Sequence, residues 1–394
     1  MKKTILISNI TIADSVEKSF IGDILLEDGK ITEAASSLPK NADIHIDASG
    51  KNWTVVPGFI DVHIHGAAGF DVMDATKEAL SGMASALPRE GTTCFLATTM
   101  TQSKEAISKA LQNASFFQAE ETQAEMVGIH LEGPFISEKQ PGAQPVEHIT
   151  PPSEALFQKW QKLSGNRIKL VTMAPETEGG IHFIEQVTAD GVLVSIGHSD
   201  GTWQEMQQAL QAGASHVTHL YNQMSPFHHR DPGVVGTALT EDRLSVEIIA
   251  DFIHSHPKSV ELAFRQKGAE RLILITDAMR AKGLEPGIYD LAGQDVLVTE
   301  TDARLQSGAL AGSILTMDTA LRNVQSCTGC SISELVAMTS ANAAKELGLS
   351  NKGSIRAGKD ADLVILDESL NVQMTICRGT IAYIKEGHHE YRNS

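Results

Sequence analysis

The sequence predicts an α/β fold: a (β/α)8 TIM-like barrel with a small β-sandwich domain formed by both chain termini. Three observations carry that expectation. Short, continuously apolar runs alternate with amphipathic stretches through the middle of the chain. Both ends carry closely spaced strand patterns separated by turn residues. The apolar runs also end repeatedly on histidine, glutamate or aspartate. Of 394 residues, 42% are hydrophobic and 21% charged, the balance of an ordinary folded protein, and the length suits one large domain with a smaller one.

The N-terminal part of the sandwich is expected over residues 1–54. Its strand-like runs are TILISNITIAD, SFIGDILLEDGKITEAA and DIHIDASG, with Asp28-Gly29 as a turn. The opening MKKTILISNITIAD has two lysines followed by apolar residues. Ser8, Asn9 and Thr11 interrupt that run and no small-residue cleavage site follows, so it reads as a strand rather than a signal peptide.

The barrel is expected over 55–345. Its eight apolar runs are VVPGFIDVHIH, TTCFLATT, EMVGIHLEG, RIKLVTMAPE, GVLVSIGHS, ASHVTHLYN, LSVEIIADFIH and RLILITDAM. KEALSGMASALPREG, SKEAISKALQNASFFQAEE and TWQEMQQALQAG fill intervals with helical periodicity. Continuous apolar character suits parallel strands covered on both faces. A doubly wound sheet is the alternative, but no GxGxxG follows the first run. Residues 346–394 return to the style of the N-terminus with KGSIRAGKDADLVILD and VQMTICRGTIAYIKEG, completing the sandwich.

The net charge of −17, from 49 acidic against 32 basic residues and with no Lys/Arg-rich run, argues against nucleic acid or an anionic membrane as partner. An anionic substrate would need a locally built positive site. No segment approaches the ~18 uninterrupted apolar residues of a membrane span. Of Cys94, Cys327, Cys330 and Cys377, only Cys327 and Cys330 form a CxxC. No second pair completes a zinc site, so the pair reads as structural or incidental. These features point to a cytoplasmic protein.

In such barrels the active site lies at the carboxyl ends of the strands. His63 and His65 in GFIDVHIHG are two apart on a strand and so point the same way, as two ligands of one metal must. An HxH alone is equally well explained by two half-buried histidines; its company decides. Glu132 ends the third run, His198 the fifth and His219 the sixth. His254 follows the seventh, and Asp277 ends the eighth. Imidazoles with carboxylates suit Zn2+ or Fe2+, with one coordination position left for water.

Asp277 stands apart from the ligands. A carboxylate beside a metal-bound water can take its proton and later hand it to a leaving group, which implies metal-assisted hydrolysis. The alternative is a helix cap at the strand-to-helix turn. Past the sixth run, His219-Leu-Tyr-Asn222 leads into His228-His229-Arg230. Arginine and histidine beside an amide suit recognition of an anion such as phosphate, against a reading as a solvated basic loop. Met224, Met279 and Met317 read as packing residues, and Gly66, Gly69, Gly133 and Gly142 as turn residues.

PGFIDVHIHG, the strand-end histidines and aspartate, and the closing GSIRAGKDADLVIL resemble the amidohydrolase superfamily. HLEGPF, GHSD, THLYNQMSPFHHRDPG, ADFIHSHP, ILITDAMRAKG and LAGSILTMD are similar to one of its families, the N-acetylglucosamine-6-phosphate deacetylases, and the match runs along nearly the whole chain. The resemblance implies that Glu132, His198 and His219 bind the principal metal, that His63 and His65 bind a second, and that Asp277 is the catalytic acid/base. It implies that Asn222 and the backbone at Gln223 contact the phosphate and that His254 contacts the bound sugar phosphate. Arg230 would reach the phosphate from the neighbouring subunit of a homodimer, and Leu310-Ala311-Gly312 would line the acetyl end. Members that manage with one metal carry a non-liganding pair in place of His63 and His65, and a histidine in place of Gln144. Keeping both histidines favours two metals, and Gln144 could still hydrogen-bond the sugar.

The activity so implied is hydrolysis of the acetamide of N-acetyl-D-glucosamine 6-phosphate to D-glucosamine 6-phosphate and acetate, in amino-sugar catabolism and cell-wall recycling. Two alternatives remain. A cyclic-amide amidohydrolase of the dihydroorotase or hydantoinase type places a carboxylated lysine at the end of the fourth strand. Here Lys169 lies near that strand's beginning, and Glu132 would bridge instead. A non-catalytic scaffold on the same fold would be expected to lose ligands, and none is missing.

Overall fold

Eight parallel strands, almost wholly buried, stand at the centre of the computed structural model, which describes residues 3–39 and 41–387. The ends of the expected sandwich, residues 1–2 and 388–394, and Lys40 lie outside the described residues. The barrel strands are Phe59–Ile64, Thr92–Thr99, Glu125–Glu132, Ile168–Met173, Leu193–Ile196, His216–Val217, Ser245–Ile249 and Leu272–Ile275. They pair in chain order, each parallel to the next. A parallel bridge between Ile64 and Ala278 joins the last strand back to the first. At that seam the Asp277 N–H donates to the His63 carbonyl at 2.8 Å.

Every residue of the first, second, seventh and eighth strands is buried, as strands covered on both faces require. The helices between them start where the sequence supplies a cap. Thr76, Ser103 and Ser153 each accept a backbone N–H, and Thr202 with Glu205 closes a capping box. Each such cap stabilises its helix by ~1 kcal/mol. The helix Lys104–Phe116 buries Ile107, Ala110, Leu111 and Ala114, a spacing of three and four that lays one stripe on the barrel.

VVPGFIDVHIH, one run in the sequence, is two strands in the structure. Thr54–Pro57 belongs to the terminal sheet and Phe59–Ile64 to the barrel. Gly58 lies at the crossing, where a Cβ would sit 2.1 Å from Thr93 Oγ1, so only glycine fits. The terminal sheet takes five strands from the N-terminal side, Ile5–Ile12, Phe20–Glu27, Lys30–Ala35, Ile44–Asp47 and Thr54–Pro57. Leu363–Leu366, Val372–Cys377 and Thr380–Ile384 complete it. Strands of both origins enclose one apolar core that includes Ile7, Ile24, Ile46, Val55, Leu363, Ile365 and Met374. The Asp28-Gly29 turn has φ of 48° and 82°, as a tight hairpin needs, and Gly29 accepts the Ala361 N–H, which draws the two ends of the chain together.

One element departs from the expected alternation. After the eighth strand, Gly287–Leu291, Gln294–Val298 and Ala303–Leu305 form an antiparallel meander. It packs Leu291, Val296, Val298 and Ala303 against Met100, Met279 and Ala311. No helix among the described residues is long and apolar enough to cross a membrane.

Candidate active site

Strand geometry brings the rim residues to one end of the barrel, and unusual backbone aims them. His198, His219 and Asp277 leave their strands in the left-handed region, at φ of 48°, 29° and 47°. Such backbone costs ~1–3 kcal/mol away from glycine and persists where surrounding contacts hold it. Here the His198 carbonyl accepts the Ser137 N–H at 2.9 Å, and the Asp277 carbonyl accepts the Ser313 N–H at 2.8 Å. The His219 N–H donates to the Glu247 carboxylate at 3.2 Å.

The side chains converge on buried Glu132. Its Oε1 lies 3.3 Å from Nε2 of both His198 and His219 and 3.4 Å from Nε2 of His63. Its Oε2 lies 3.3 Å from Nε2 of His65. Nε2 of His198 and of His219 are 3.1 Å apart. Asp277 Oδ1 stands 3.2 Å from His65 Nε2 and 3.4 Å from His63 Nε2. Two groups of candidate metal ligands face the pocket, Glu132, His198 and His219, and His63, His65 and Asp277, while a third, His63, His130 and Glu247, also gathers around His63. Ligands 2.0–2.1 Å from a tetrahedral ion lie about 3.3–3.4 Å from one another, close to the spacing seen. His63 Nε2 is buried and has no hydrogen-bond partner among the described residues, as expected of an atom meant for a ligand. The donor set fits a divalent metal.

Three rings are turned by their other nitrogen. His198 Nδ1 meets the Gln140 carbonyl at 2.8 Å, His65 Nδ1 the Thr98 carbonyl at 3.2 Å, and His63 Nδ1 a Glu247 oxygen at 2.9 Å. The electrostatics agree with a cation site. Burial alone would strip a proton from His65, but hydrogen bonds to Asp277 and Glu132 outweigh it and hold the ring up to about 9. His63 is raised likewise, against burial, by Asp277, Glu132 and Glu247. Burial works against ionised Glu132 and Asp277, yet the facing histidines hold both below the usual carboxylate range. Carboxylates that keep protons on their imidazoles can hold a divalent cation in their place.

The cluster floors a pocket of ≈130 Å³ whose walls include Met100, Gly142, Gln144, Asn222, Gln223, His254, Leu291, Leu310 and Gly312. Asp251 fixes His254 by pairing its Nδ1 at 2.6 Å and accepting the Ile253 and His254 N–H groups, which leaves Nε2 for other partners. Gln144 is already engaged on both sides. Its Oε1 accepts the Thr101 N–H at 2.7 Å, and its Nε2 donates to Glu132 Oε2 at 2.8 Å. Of Leu310-Ala311-Gly312, Leu310 and Gly312 line the pocket while Ala311 is fully buried. Arg230 does not line the pocket of its own chain. It is exposed on a loop, with Nη1 2.8 Å from His229 Nε2. Lys169 is exposed at the start of the fourth strand. Glu247, Asp251, His216 and Glu346 were not singled out from the sequence; an acidic residue inside the apolar run SVEII was the available signal.

The sequence model of the amidohydrolase family matches residues 54–382. The N-acetylglucosamine-6-phosphate deacetylase of Lysinibacillus sphaericus is 50% identical over 379 residues, covering 96% of this chain and 97% of that protein. That of Bacillus subtilis (strain 168) is 48% identical over 391 residues, covering 98% and 99%. Among solved structures, the N-acetylglucosamine-6-phosphate deacetylase of Thermotoga maritima is 34% identical with a TM-score of 0.86, covering 96% of this chain and 100% of that one. A mutant N-acetyl-D-glucosamine-6-phosphate deacetylase of Mycobacterium smegmatis, in complex with N-acetyl-D-glucosamine-6-phosphate, is 29% identical with a TM-score of 0.90, covering 98% and 100%. A D-hydantoinase, 17% identical with a TM-score of 0.61, shares the fold alone. The chain belongs to the amidohydrolase family, on its N-acetylglucosamine-6-phosphate deacetylase branch.

Proposed function

We propose that the chain hydrolyses the acetamide of N-acetyl-D-glucosamine 6-phosphate to D-glucosamine 6-phosphate and acetate, a step of amino-sugar catabolism and cell-wall recycling, using two divalent ions per subunit, Zn2+ or Fe2+. One observation carries the reading: two groups of candidate ligands meet at Glu132, and all of them except the buried His63 line a single pocket, Asp277 among them. The choice of substrate is supported by relatives 48% and 50% identical over nearly the whole chain.

Glu132, His198 and His219 would hold one ion; His63 and His65 would hold the second, with Glu132 between the two. A divalent cation there supplies Lewis-acid polarisation of the amide carbonyl and eases loss of a proton from water. Asp277, whose Oδ1 stands 3.2 Å from His65 Nε2 and 3.4 Å from His63 Nε2 at the edge of that site, takes the proton of the attacking water as general base. The same carboxylate then returns the proton to the nitrogen of the departing amine. Leu310 and Gly312 border the acetyl group, while Asn222, the Gln223 backbone and His254 receive the sugar phosphate. Arg230, exposed on its own chain, would complete the phosphate site of the neighbouring subunit in a homodimer. A cytoplasmic setting fits a phosphorylated substrate and four free cysteines. The cyclic-amide reading loses ground because Lys169 is exposed at the wrong end of its strand.

The test is acetate release by metal-loaded protein from N-acetylhexosamines with and without the 6-phosphate. Losing two charge-assisted hydrogen bonds should lower kcat/KM on the unphosphorylated sugar by on the order of 100-fold or more. Equal rates on both would remove the phosphate site, and no acetate from either would remove the reading.

A further inference from the structure

Barrel interiors are ordinarily filled by branched aliphatic side chains, yet the layer beneath the ligand cluster is polar here. His63 Nδ1 meets Glu247 Oε2 at 2.9 Å, with both side chains fully buried. The other oxygen, Glu247 Oε1, meets His216 Nε2 at 3.1 Å, and His216 Nδ1 meets Glu346 Oε2 at 2.6 Å. His216 is the first residue of the sixth strand and Glu346 the last of the helix Asn342–Glu346, with a side chain 17% exposed, so the string runs from the ligand cluster to a partly exposed carboxylate. Glu247 Oε2 also accepts the N–H of His219 at 3.2 Å, and His219 holds a left-handed φ of 29°. One carboxylate therefore touches a member of each ligand group, a ring in one and a backbone amide in the other. Burying a carboxylate in a strand as apolar as SVEII is expensive unless its bonds are specific, and these are.

We propose that Glu247 is a positioning residue of the metal centre, fixing the His63 ring and the His219 backbone together while His216 and Glu346 hold it in place. This rests on the metal-dependent reading of the site given above. With its Nδ1 bonded to Glu247, His63 presents Nε2 to the ligand cluster, the atom found without a partner. If His219 lost its amide partner, its strained backbone could relax and swing the ring away from Glu132.

The experiment compares wild type, Glu247→Gln and Glu346→Gln after removal of metal with a chelator. Each is titrated with Co2+, whose visible spectrum reports coordination, and kcat and KM are then measured on the loaded proteins. In Glu247→Gln, Co2+ affinity should fall about 10–100-fold, the scale of lost outer contacts to ligands. The spectrum of the bound ion should change, and kcat should drop while KM holds. Glu346→Gln, two links further away, should shift affinity and spectrum in the same direction by less. A residue needed only for folding would lower the thermal midpoint yet leave affinity and spectrum as in wild type, and that result overturns the inference. If Glu247→Gln does not fold, Glu346→Gln decides: wild-type Co2+ affinity and spectrum in that variant overturn it. Failure of the wild type to bind Co2+ would instead sink the metal-dependent reading itself.

Discussion

The two ligand groups that meet at Glu132 are built from different parts of the barrel, and Glu247 touches each differently, as a ring partner in one and a backbone partner in the other. Glu132, His198 and His219 come from the third, fifth and sixth strands, and the His198 ring is turned by a neutral carbonyl, that of Gln140. His63, His65 and Asp277 come from the seam where the first and eighth strands meet, and His63 is turned by the carboxylate of Glu247. The seam group also contains a carboxylate that turns no ring and faces both of its histidines. On the function proposed above, the difference separates tasks: the first group would hold, while the seam group would both hold and carry the carboxylate that moves a proton.

The sharpest way to break that division is Asp277→Asn. The amide keeps the size of the side chain but cannot take a proton, so kcat should fall by about 10²–10⁴-fold. The metal content of the purified variant should stay near that of wild type. Loss of metal together with activity would make Asp277 a holding residue, and full activity would end its assignment as acid/base. Replacing His63 and His65 together, by Gln and Asn, should have a smaller effect. One equivalent of metal should be lost, and kcat should fall less than in Asp277→Asn. Loss of all metal in that double variant would mean that the two groups do not bind independently.

Much of this arrangement could be read in one dimension because strand endings are local. VHIH, HLE, GHSD and LITD place their polar residues directly after apolar runs, and the structure gathers those residues at one rim. What turns them could not be read so easily. Glu247 lies 184 residues from His63 and 31 from His216, and nothing local predicts those pairings. The clue was physical: a lone acid in an apolar strand must find a partner when buried. His130, two residues before Glu132, is a parallel case. It is fully buried and bonds Thr172 at 2.7 Å inside the barrel. The meander of 287–305 is hidden in the sequence for a different reason. Its strands alternate exposed and covered residues about the Ala292-Gly293 turn, a pattern that a search for buried parallel strands passes over.

Further from the chemistry, the partner of Glu247 gives a pH signature. Burial works against a charge on His216, but Glu346 and Glu247 outweigh it and hold the ring up to about 10, against an ordinary value near 6.5. Folding therefore takes up a proton between those limits. The stabilisation is complete below about pH 6.5 and is lost as pH rises toward 10. The thermal midpoint of metal-loaded wild type should fall across that window more steeply than that of His216→Gln. Equal slopes would mean that the charged string beneath the seam group contributes nothing to stability.

Gln144 offers the finest test, because it touches Glu132, the carboxylate that faces histidines of both groups. Its amide gives Glu132 Oε2 a hydrogen bond and takes one from the Thr101 N–H, so Gln144→Leu leaves two buried polar groups without that partner. Each such loss costs about 1–3 kcal/mol, which should appear first as a lower thermal midpoint. Oε2 is also the oxygen facing His65, whereas Oε1 faces His198, His219 and His63. Freeing Oε2 should therefore disturb the seam group more than the holding group. In a metal titration, the weaker of two binding steps should weaken further in Gln144→Leu while the tighter step stays within about 3-fold, below a 1 kcal/mol change. Equal weakening of both steps would make Glu132 a rigid unit, transmitting a disturbance at one oxygen to both sides alike.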